Sequence, residues 1–583
     1  MILDILRDKL THAAMTAYPE LQGSSLQLEV TPTAHEKFGH YQCNAAMKLS
    51  KTLKKSPQAI ADALITSTDK SFDNSPMIEC LEIAGPGFIN ITLTQNYLTL
   101  LVNRMAKSER LNIPVAARPK KVIIDFSSPN TAKEMHVGHL RSTIIGDALA
   151  NLFEFLGHQV LRLNHIGDWG TSFGMLIAYM KEEAKDVLTG KVATDLSHLA
   201  AWYKAAKNRF DIDPEFKKKS QEQVVALQTG DPEALKAWHI ICDISRNAYQ
   251  EIYDLLDISI IERGESFYNP MLADVVTDLQ TKDLITLSDG AKCIFVEGFQ
   301  NREGQPFPYM VQKSDGGYNY DTTDLASIRH RIDVERGERL IYVTDAGQSV
   351  HFQMLFKVAE MAGYLDTSKV EVNHVPFGLV LGTDGKKFKS RSGETEKLID
   401  LLTTAINHAD AILAERTPDL DPIERNILAR TLGIGAVKYA DLSSHRISDY
   451  VFSYDKMLRF EGNTAAYLLY CYVRTAGIKR KIGSHTDDML MQATIQLTQP
   501  AEVTLALHLL QFEATLLQME RDLLPNTLTE YLFTLAEKFN AFFRDCRVEG
   551  TPEQDSRLLL CDVVAKTMRQ GLNILGLKTI EKM

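Results

Sequence analysis

The stretch KVIIDFSSPNTAKEMHVGHLRSTIIGDALANLFEFLGHQVLRLNHIGDWG, Lys121 to Gly170, decides the fold. Val122-Ile123-Ile124 is a continuous apolar run of the kind carried by a parallel strand covered on both faces. Ser127-Ser128-Pro129-Asn130 breaks it, because a proline pushes its predecessor out of the helical region. From Met135 onward, apolar residues recur at helical spacing through Leu140, Ile144, Ala148 and Leu152. The order is therefore strand, loop, helix, strand, glycine turn. His136-Val137-Gly138-His139 falls at a helix N-terminus just past a strand, where free N–H groups and the helix dipole favour a phosphate. His136 and His139 share one helix face. Gly138 has no side chain, so a flat group such as adenine can approach the backbone there. Two blander readings are a polar helix start and a zinc site. Zinc would want a third ligand nearby, and no cysteine lies between Cys80 and Cys242.

At 583 residues the chain has room for several domains, on a prior of roughly 100–200 residues each. A hydrophobic content of 45% with 24% charged residues is that of an ordinary globular protein. No apolar run is long enough to span a membrane. MILDILRDKLTHAAM reads as an amphipathic helix carrying acids, without a signal peptide's apolar core and cleavage site. Seven scattered cysteines with no CxxC pair suit a reducing cytoplasm. The net charge of −11 does not advertise a nucleic-acid binder, although a large acidic body can still carry a basic strip.

Working outward, residues 1–112 read as a small α+β unit. It holds the first helix, LQLEVT, a helical stretch with a Lys51, Lys54, Lys55 cluster, and two strands around Gly85-Pro86-Gly87. The catalytic unit is expected over 118–395, with a charge-rich helical insertion at about 180–265. The sheet is expected to resume near Ala291 with CIFVEGF and YMVQ. RLIYVTD, QSVHFQMLFKVAEMAG and VEVNHVPFGLVLG then alternate strand with helix, which argues for a parallel sheet wound on both sides with ligands at the strands' carboxyl ends. Tyr320, Asp324 and Gln348 fall just past such ends. A basic loop follows, Lys386-Lys387-Phe388-Lys389-Ser390-Arg391. Residues 396–455 read as a helical connector and 456–583 as a helical domain. In the latter, Tyr467, Tyr470 and Tyr472 suit a core, and Lys479, Arg480 and Lys481 suit a phosphate patch.

SSPNTAKEMHVGHLRSTIIGD followed by NHIGDWGTSFG closely resembles the signature block of the arginyl-tRNA synthetases, a branch of the class I aminoacyl-tRNA synthetases. The resemblance extends over nearly the whole chain. It implies an α/β architecture: a Rossmann-like, doubly wound parallel-sheet catalytic domain with a helical insertion, an N-terminal α+β domain touching the outer corner of tRNA, and a C-terminal all-helical anticodon-binding domain. It implies ATP-dependent activation of L-arginine, with Mg²⁺ on the phosphates and no protein-ligated metal, and transfer to the terminal ribose of tRNA(Arg). By resemblance, His136, Gly138, His139, Lys386, Lys387, Phe388, Lys389, Ser390 and Arg391 handle ATP. Asp125, Phe126, Ser127, Asn130, His136, Tyr320, Asp324 and Gln348 hold arginine. A carboxylate at Asp324 suits a guanidinium, which prefers a planar bidentate partner. Ser390 stands where the class usually has its second loop lysine; the branch commonly lacks that lysine, and Lys133 occupies the place of its substitute. Catalysis would then fall to His136, His139, Lys133 and Lys389. The branch also generally needs tRNA for the first step. A cytoplasmic monomer is expected. The alternatives are another adenylyl-transferring enzyme with the same HxGH pattern, or a dead relative that only binds RNA; the latter should have lost His136, His139 or Asp324.

Overall fold

The structure, a computed structural model, describes residues 2–23, 25–33, 36–73, 75–301, 303–388, 396–482 and 486–582. Its centre is a five-stranded sheet. The strands are β1 (Lys121–Asp125), β2 (Gln159–Asn164), β3 (Ile261–Glu262), β4 (Arg339–Asp345) and β5 (Glu371–Phe377). They lie in the order β5-β4-β1-β2-β3, every pair parallel. The apolar run of β1 is buried at Val122, Ile123 and Ile124, and that of β4 from Leu340 to Val343. Burial on both faces is what continuous apolar strands require. The chain leaves β1 toward β2 on one side and reaches β4 on the other, so the switch point lies at the carboxyl ends of β1 and β4. Helix α1 (Val137–Phe155) joins β1 to β2, and α2 (Tyr320–Asp333) and α3 (Ser349–Met361) flank β4 in sequence.

One expectation needs correction. CIFVEGF and YMVQ do not rejoin the parallel sheet. Ala291–Gln300 and Pro306–Gln312 pair antiparallel with each other, and Thr286–Ser288 completes a separate three-stranded sheet. Its strands alternate between buried residues (Ile294, Val296, Tyr309, Val311) and exposed ones (Phe295, Glu297), the pattern of a sheet wetted on one face. Of LQLEVT, Val30 and Thr31 belong to a strand, Val30–Pro32.

The N-terminal residues form a four-stranded antiparallel sheet carried by helices Ile2–Ala17, Ala45–Leu53, Pro57–Ser67 and Gln95–Ala106. The turn at Gly85 and Gly87 uses φ of 54° and 127°, and at Gly87 the value is one that only glycine adopts without strain. The insertion is helical, chiefly Leu196–Ile212, Pro214–Gln228 and Pro232–Leu256. After the parallel pair β6 (Val380–Leu381) and β7 (Tyr450–Val451), with helix α4 (Pro422–Leu442) between them in sequence, the chain is helical from Ala465 almost to its end. Asn103 of the N-terminal unit exchanges two hydrogen bonds with the backbone of Ile495, of 2.9 and 2.8 Å.

Candidate active site

The turn after β1 is held in an unusual backbone. Ser127, Ser128 and Ala132 all have positive φ, of 72°, 48° and 63°. Non-glycine residues adopt this region only where neighbours enforce it. Here the enforcement is a set of side chains: Ser127 N donates to Ser142 Oγ at 2.9 Å, and Ser128 N to Asn164 Oδ1 at 2.9 Å. The Ser127 hydroxyl is within 2.8 Å of the Tyr253 hydroxyl. Phe126 is fully buried and packs on α1 at Gly146, where a Cβ would come within 2.2 Å of its ring. The side chain of Phe126 is therefore core rather than pocket lining. Asp125 is also committed. One oxygen accepts from Arg331 at 2.7 Å and the other from the Ser128 hydroxyl at 2.9 Å. Asn130 is exposed, bridged through its backbone to Gly167.

His136 and His139 cap α1. Gly138 N donates to His136 Nδ1 at 3.0 Å, and His136 N donates to His139 Nδ1 at 3.1 Å. Since each Nδ1 accepts, the ring proton of each sits on Nε2, which leaves two outward N–H donors. The rings lie 4.1 Å apart. Burial and then the charge of Lys387 pull His136 down, while burial, His136 and Lys133 pull His139 down to about 3. Both rings are thus neutral at pH 7: they offer hydrogen bonds, not charge. Gly138 has a reason of its own, because a Cβ there would come within 2.9 Å of the His136 ring. Positive charge comes from around them. Lys133 is exposed, with its ammonium 5.4 Å from the Tyr203 ring centre. Lys387 bridges to Leu381, Lys386 caps a turn on Asp384, and Phe388 packs 5.0 Å from Phe452. Lys389, Ser390 and Arg391 lie outside the described residues.

Across the switch point, α2 carries the second half of the site. Tyr320 is its first residue, 60% exposed, and Asp324 lies one turn on. Asp324 does not cap the helix. It accepts from His351 Nε2 at 2.7 Å, and His165 Nε2 is 3.7 Å away. The other nitrogen of His351 meets Asp321 at 3.2 Å. Burial opposes charge on His351, but its hydrogen bonds to Asp321 and Asp324 outweigh that and raise it to about 9. Burial likewise opposes charge on Asp324, yet the His351 contact prevails and holds the carboxyl below its ordinary range. Nearby Glu265 is pushed up to about 8 by burial, then by Asp324 and Asp168. Gln348 is exposed and donates to Asp345 at 3.0 Å. The sequence reading missed Asp321, His351, His165 and Glu265. The only local signal for His351 was its place three residues after Gln348 on a helix start.

The basic patch near the C-terminus is less free than its sequence suggests. Arg480 donates to the Glu581 carbonyl at 2.7 Å and Lys481 pairs with Glu549 at 3.4 Å. The side chain of Lys479 lies outside the described residues. Tyr472 is fully buried, whereas Tyr470 is 49% exposed.

Chemically, the crevice offers neutral N–H donors beside a helix N-terminus at one wall and an anionic, partly buried seat at the other. Three family models match the chain: "Arginyl tRNA synthetase N terminal domain" over residues 2–93, "tRNA synthetases class I (R), catalytic domain" over 101–454, and "DALR anticodon binding domain" over 468–583. An arginine–tRNA ligase of Protochlamydia amoebophila is 61% identical over the full length of both chains. One from Chlamydia caviae is 52% identical over 100% of this chain and 99% of its own. Among solved structures, the arginyl-tRNA synthetase of Plasmodium falciparum superposes with a TM-score of 0.88 at 33% identity, covering 100% of this chain and 99% of that one. The Thermus thermophilus enzyme, at 24% identity and a TM-score of 0.81, shares the fold over 99% of this chain and 100% of its own.

Proposed function

The chain belongs to the arginyl-tRNA synthetases, and from that premise we propose a division of labour within its crevice. It is an arginine–tRNA ligase: it activates arginine with ATP and transfers it to tRNA. In the first step, a carboxylate oxygen of arginine bonds to the α-phosphorus of ATP, and the bond from that phosphorus to the bridging oxygen breaks. Pyrophosphate leaves. In the second, a hydroxyl of the terminal ribose attacks the arginyl carbonyl, and AMP leaves. Neither step needs a covalent bond to the enzyme, so catalysis is positioning plus stabilisation of charge.

The observation that carries the residue assignment is the pairing of Asp324 with the cationic His351. It makes an anionic seat whose resident cation can give way to a guanidinium. Tyr320 stands at the mouth of that seat, and Asp321 and Glu265 add acidic groups around it. His136 and His139 donate Nε2–H to phosphate oxygens, while Lys133, Lys387 and the basic segment after it neutralise the phosphates. Asp125 acts through the turn it shapes with Ser127 and Ser128, and Asn130 faces the amino-acid head. Mg²⁺ carried by ATP would supply further charge neutralisation at the phosphates, beside Lys133 and Lys387. Among the described residues no group of three or more His, Cys, Asp or Glu side chains converges on a metal ion. The partner is tRNA(Arg), met by the N-terminal unit and the C-terminal helices. The free cysteines suit a reducing cytoplasm.

Charging of total tRNA with labelled arginine tests the assignment. Asp324→Asn keeps the shape and removes the charge, and leaving a buried cation unpaired costs about 3–5 kcal/mol. The arginine KM should rise by two orders of magnitude or more, with the ATP KM within about threefold. An unchanged arginine KM in a folded variant would remove Asp324 from the seat.

A further inference from the structure

Arg141 lies on α1 one turn beyond His136 and Val137, and it is completely buried. Its guanidinium makes three kinds of contact. Nε is 3.1 Å from Asp441 Oδ2 on α4. Nη1 donates to two carbonyls, Gly378 at 2.8 Å and Ser448 at 3.3 Å. The rings of Phe377 and Tyr450 have their centres 5.7 and 5.1 Å from its central carbon. Those two carbonyls are not arbitrary. Gly378 lies two residues ahead of Val380, where β6 starts, and Ser448 two residues ahead of Tyr450, where β7 starts; the two strands pair in parallel. A Cβ on Gly378 would come within 2.6 Å of the Ile447 carbonyl, so the two segments cross in contact at the place Arg141 grips.

From β6 the chain runs straight into the lysine segment. Gly382 N donates to Lys386 O at 2.8 Å, and Phe388 N to Val380 O at 3.0 Å. The far end of that segment also stands on the same helix: Lys397 bridges to His136, and Leu398 N donates to Met135 O at 2.8 Å. One foot of the segment is thus tied to the first histidine through backbone, and the other to the same helix through the Arg141 side chain. A buried ion pair is a poor source of stability compared with apolar packing of the same volume. A planar guanidinium that meets a carboxylate through Nε and two carbonyls through Nη1 does supply geometry that a flexible ammonium cannot.

We propose that Arg141 is a positioning residue for the adenylation step: it sets the distance between the His136/His139 donors and the root of the lysine segment, with Asp441 orienting its guanidinium. The proposal rests on the reading of these histidines and lysines as the phosphate seat. It gives Arg141 no contact with either substrate, and it separates phosphate handling from arginine recognition at Asp324.

The test uses the full-length protein with arginine, ATP and total tRNA, reading arginine-dependent ATP–pyrophosphate exchange per titrated active site. Arg141→Lys retains the charge and loses the fork; kcat should fall about 30- to 100-fold, as displacements of about 1 Å do, with the arginine KM within threefold. Asp441→Asn leaves the carbonyl bonds in place and should lose less, about three- to tenfold. Tryptic cleavage after Lys386 and Lys387 should be slowed by ATP in the wild type and no longer in Arg141→Lys. If Arg141→Lys does not fold, Gly378→Ala displaces the gripped carbonyl while leaving Arg141 intact, and it should show the same selective loss of kcat. A lower melting temperature with kcat per active site within threefold of wild type would reduce Arg141 to a structural residue and overturn the proposal. Absence of exchange in the wild type would instead strike the phosphate-seat reading beneath it.

Discussion

Arginine should bind more tightly as pH rises from 7 to 8.5, because the seat it enters already holds a cation. His351 lies 2.7 Å from Asp324 and 3.2 Å from Asp321 and titrates at about 9, so it is protonated at pH 7. The rings of Tyr309 and Tyr320 also face it, at 6.3 and 5.2 Å. A guanidinium paired with Asp324 would stand about 5 Å from the imidazolium, and two unit charges at that distance repel by about 3 kcal/mol at an effective dielectric near 20. That is about two pKa units, which takes His351 in the complex to roughly 6.5–7. The sign follows: the complex holds fewer protons than the free enzyme, so binding releases a proton and is favoured by rising pH. Between pH 7 and 8.5 the arginine Kd should fall on the order of tenfold, with about 0.5–0.7 proton released per arginine at pH 7. Titration calorimetry in buffers of different ionisation enthalpy counts that proton directly. His351→Gln keeps a polar group of similar reach without the charge; it should remove the imidazole's share of the release and reduce the slope, leaving only the share of Glu265, whose carboxyl is pushed up to about 8. It also controls for the ligand's own amino group, which titrates near the top of this range. No proton release in the wild type, or the same release in His351→Gln, would refute the displaced-cation argument.

Lys133→Ala should lower kcat by about 10²–10³-fold with little change in either substrate's KM, since it removes charge from the phosphate side alone. Tyr203→Ala, which frees the Lys133 ammonium from the ring it faces, should change kcat by no more than a few fold. Gly146→Ala forces a methyl to within 2.2 Å of the Phe126 ring, and overpacking of this kind costs about 1–3 kcal/mol. A drop of several degrees in the first thermal transition, with weakened arginine binding through the displaced Ser127 turn, is the expected readout. Arginine-dependent pyrophosphate exchange should require tRNA, and tRNA lacking a reactive terminal ribose should restore it; full exchange without any tRNA would refute that coupling.

What the sequence revealed was local. The apolar run at Val122–Ile124, the proline-marked break and the helical spacing from Met135 all reappear as β1, its turn and α1, because each is dictated by neighbours a few residues away. The placement of His136 at the cap of α1 was legible for the same reason. What escaped were pairings that only the folded chain creates. Asp125 meets Arg331 across 206 residues, and Arg141 meets Asp441 across 300. His351 reads on its own as an ordinary histidine at a helix start, and becomes a counter-ion only when α3 is laid beside α2. The expectation that Ala291–Gln300 would rejoin the parallel sheet failed because strand propensity says nothing about partner, and a short turn to Pro306 favours an antiparallel neighbour. Phe126 follows Asp125 at the strand end, yet its ring turns into α1 and leaves only the residues beyond it for the crevice.

On this reading one crevice holds a guanidinium at Asp324 and a phosphate at the His136/His139 cap. A crystal structure with a non-hydrolysable arginyl-adenylate analogue tests it most directly. The guanidinium should pair with Asp324, His351 should be displaced from its 2.7 Å contact, and the anionic linker should accept from Nε2 of His136 and His139. A guanidinium seated away from Asp324, with His351 still in place, would contradict the account.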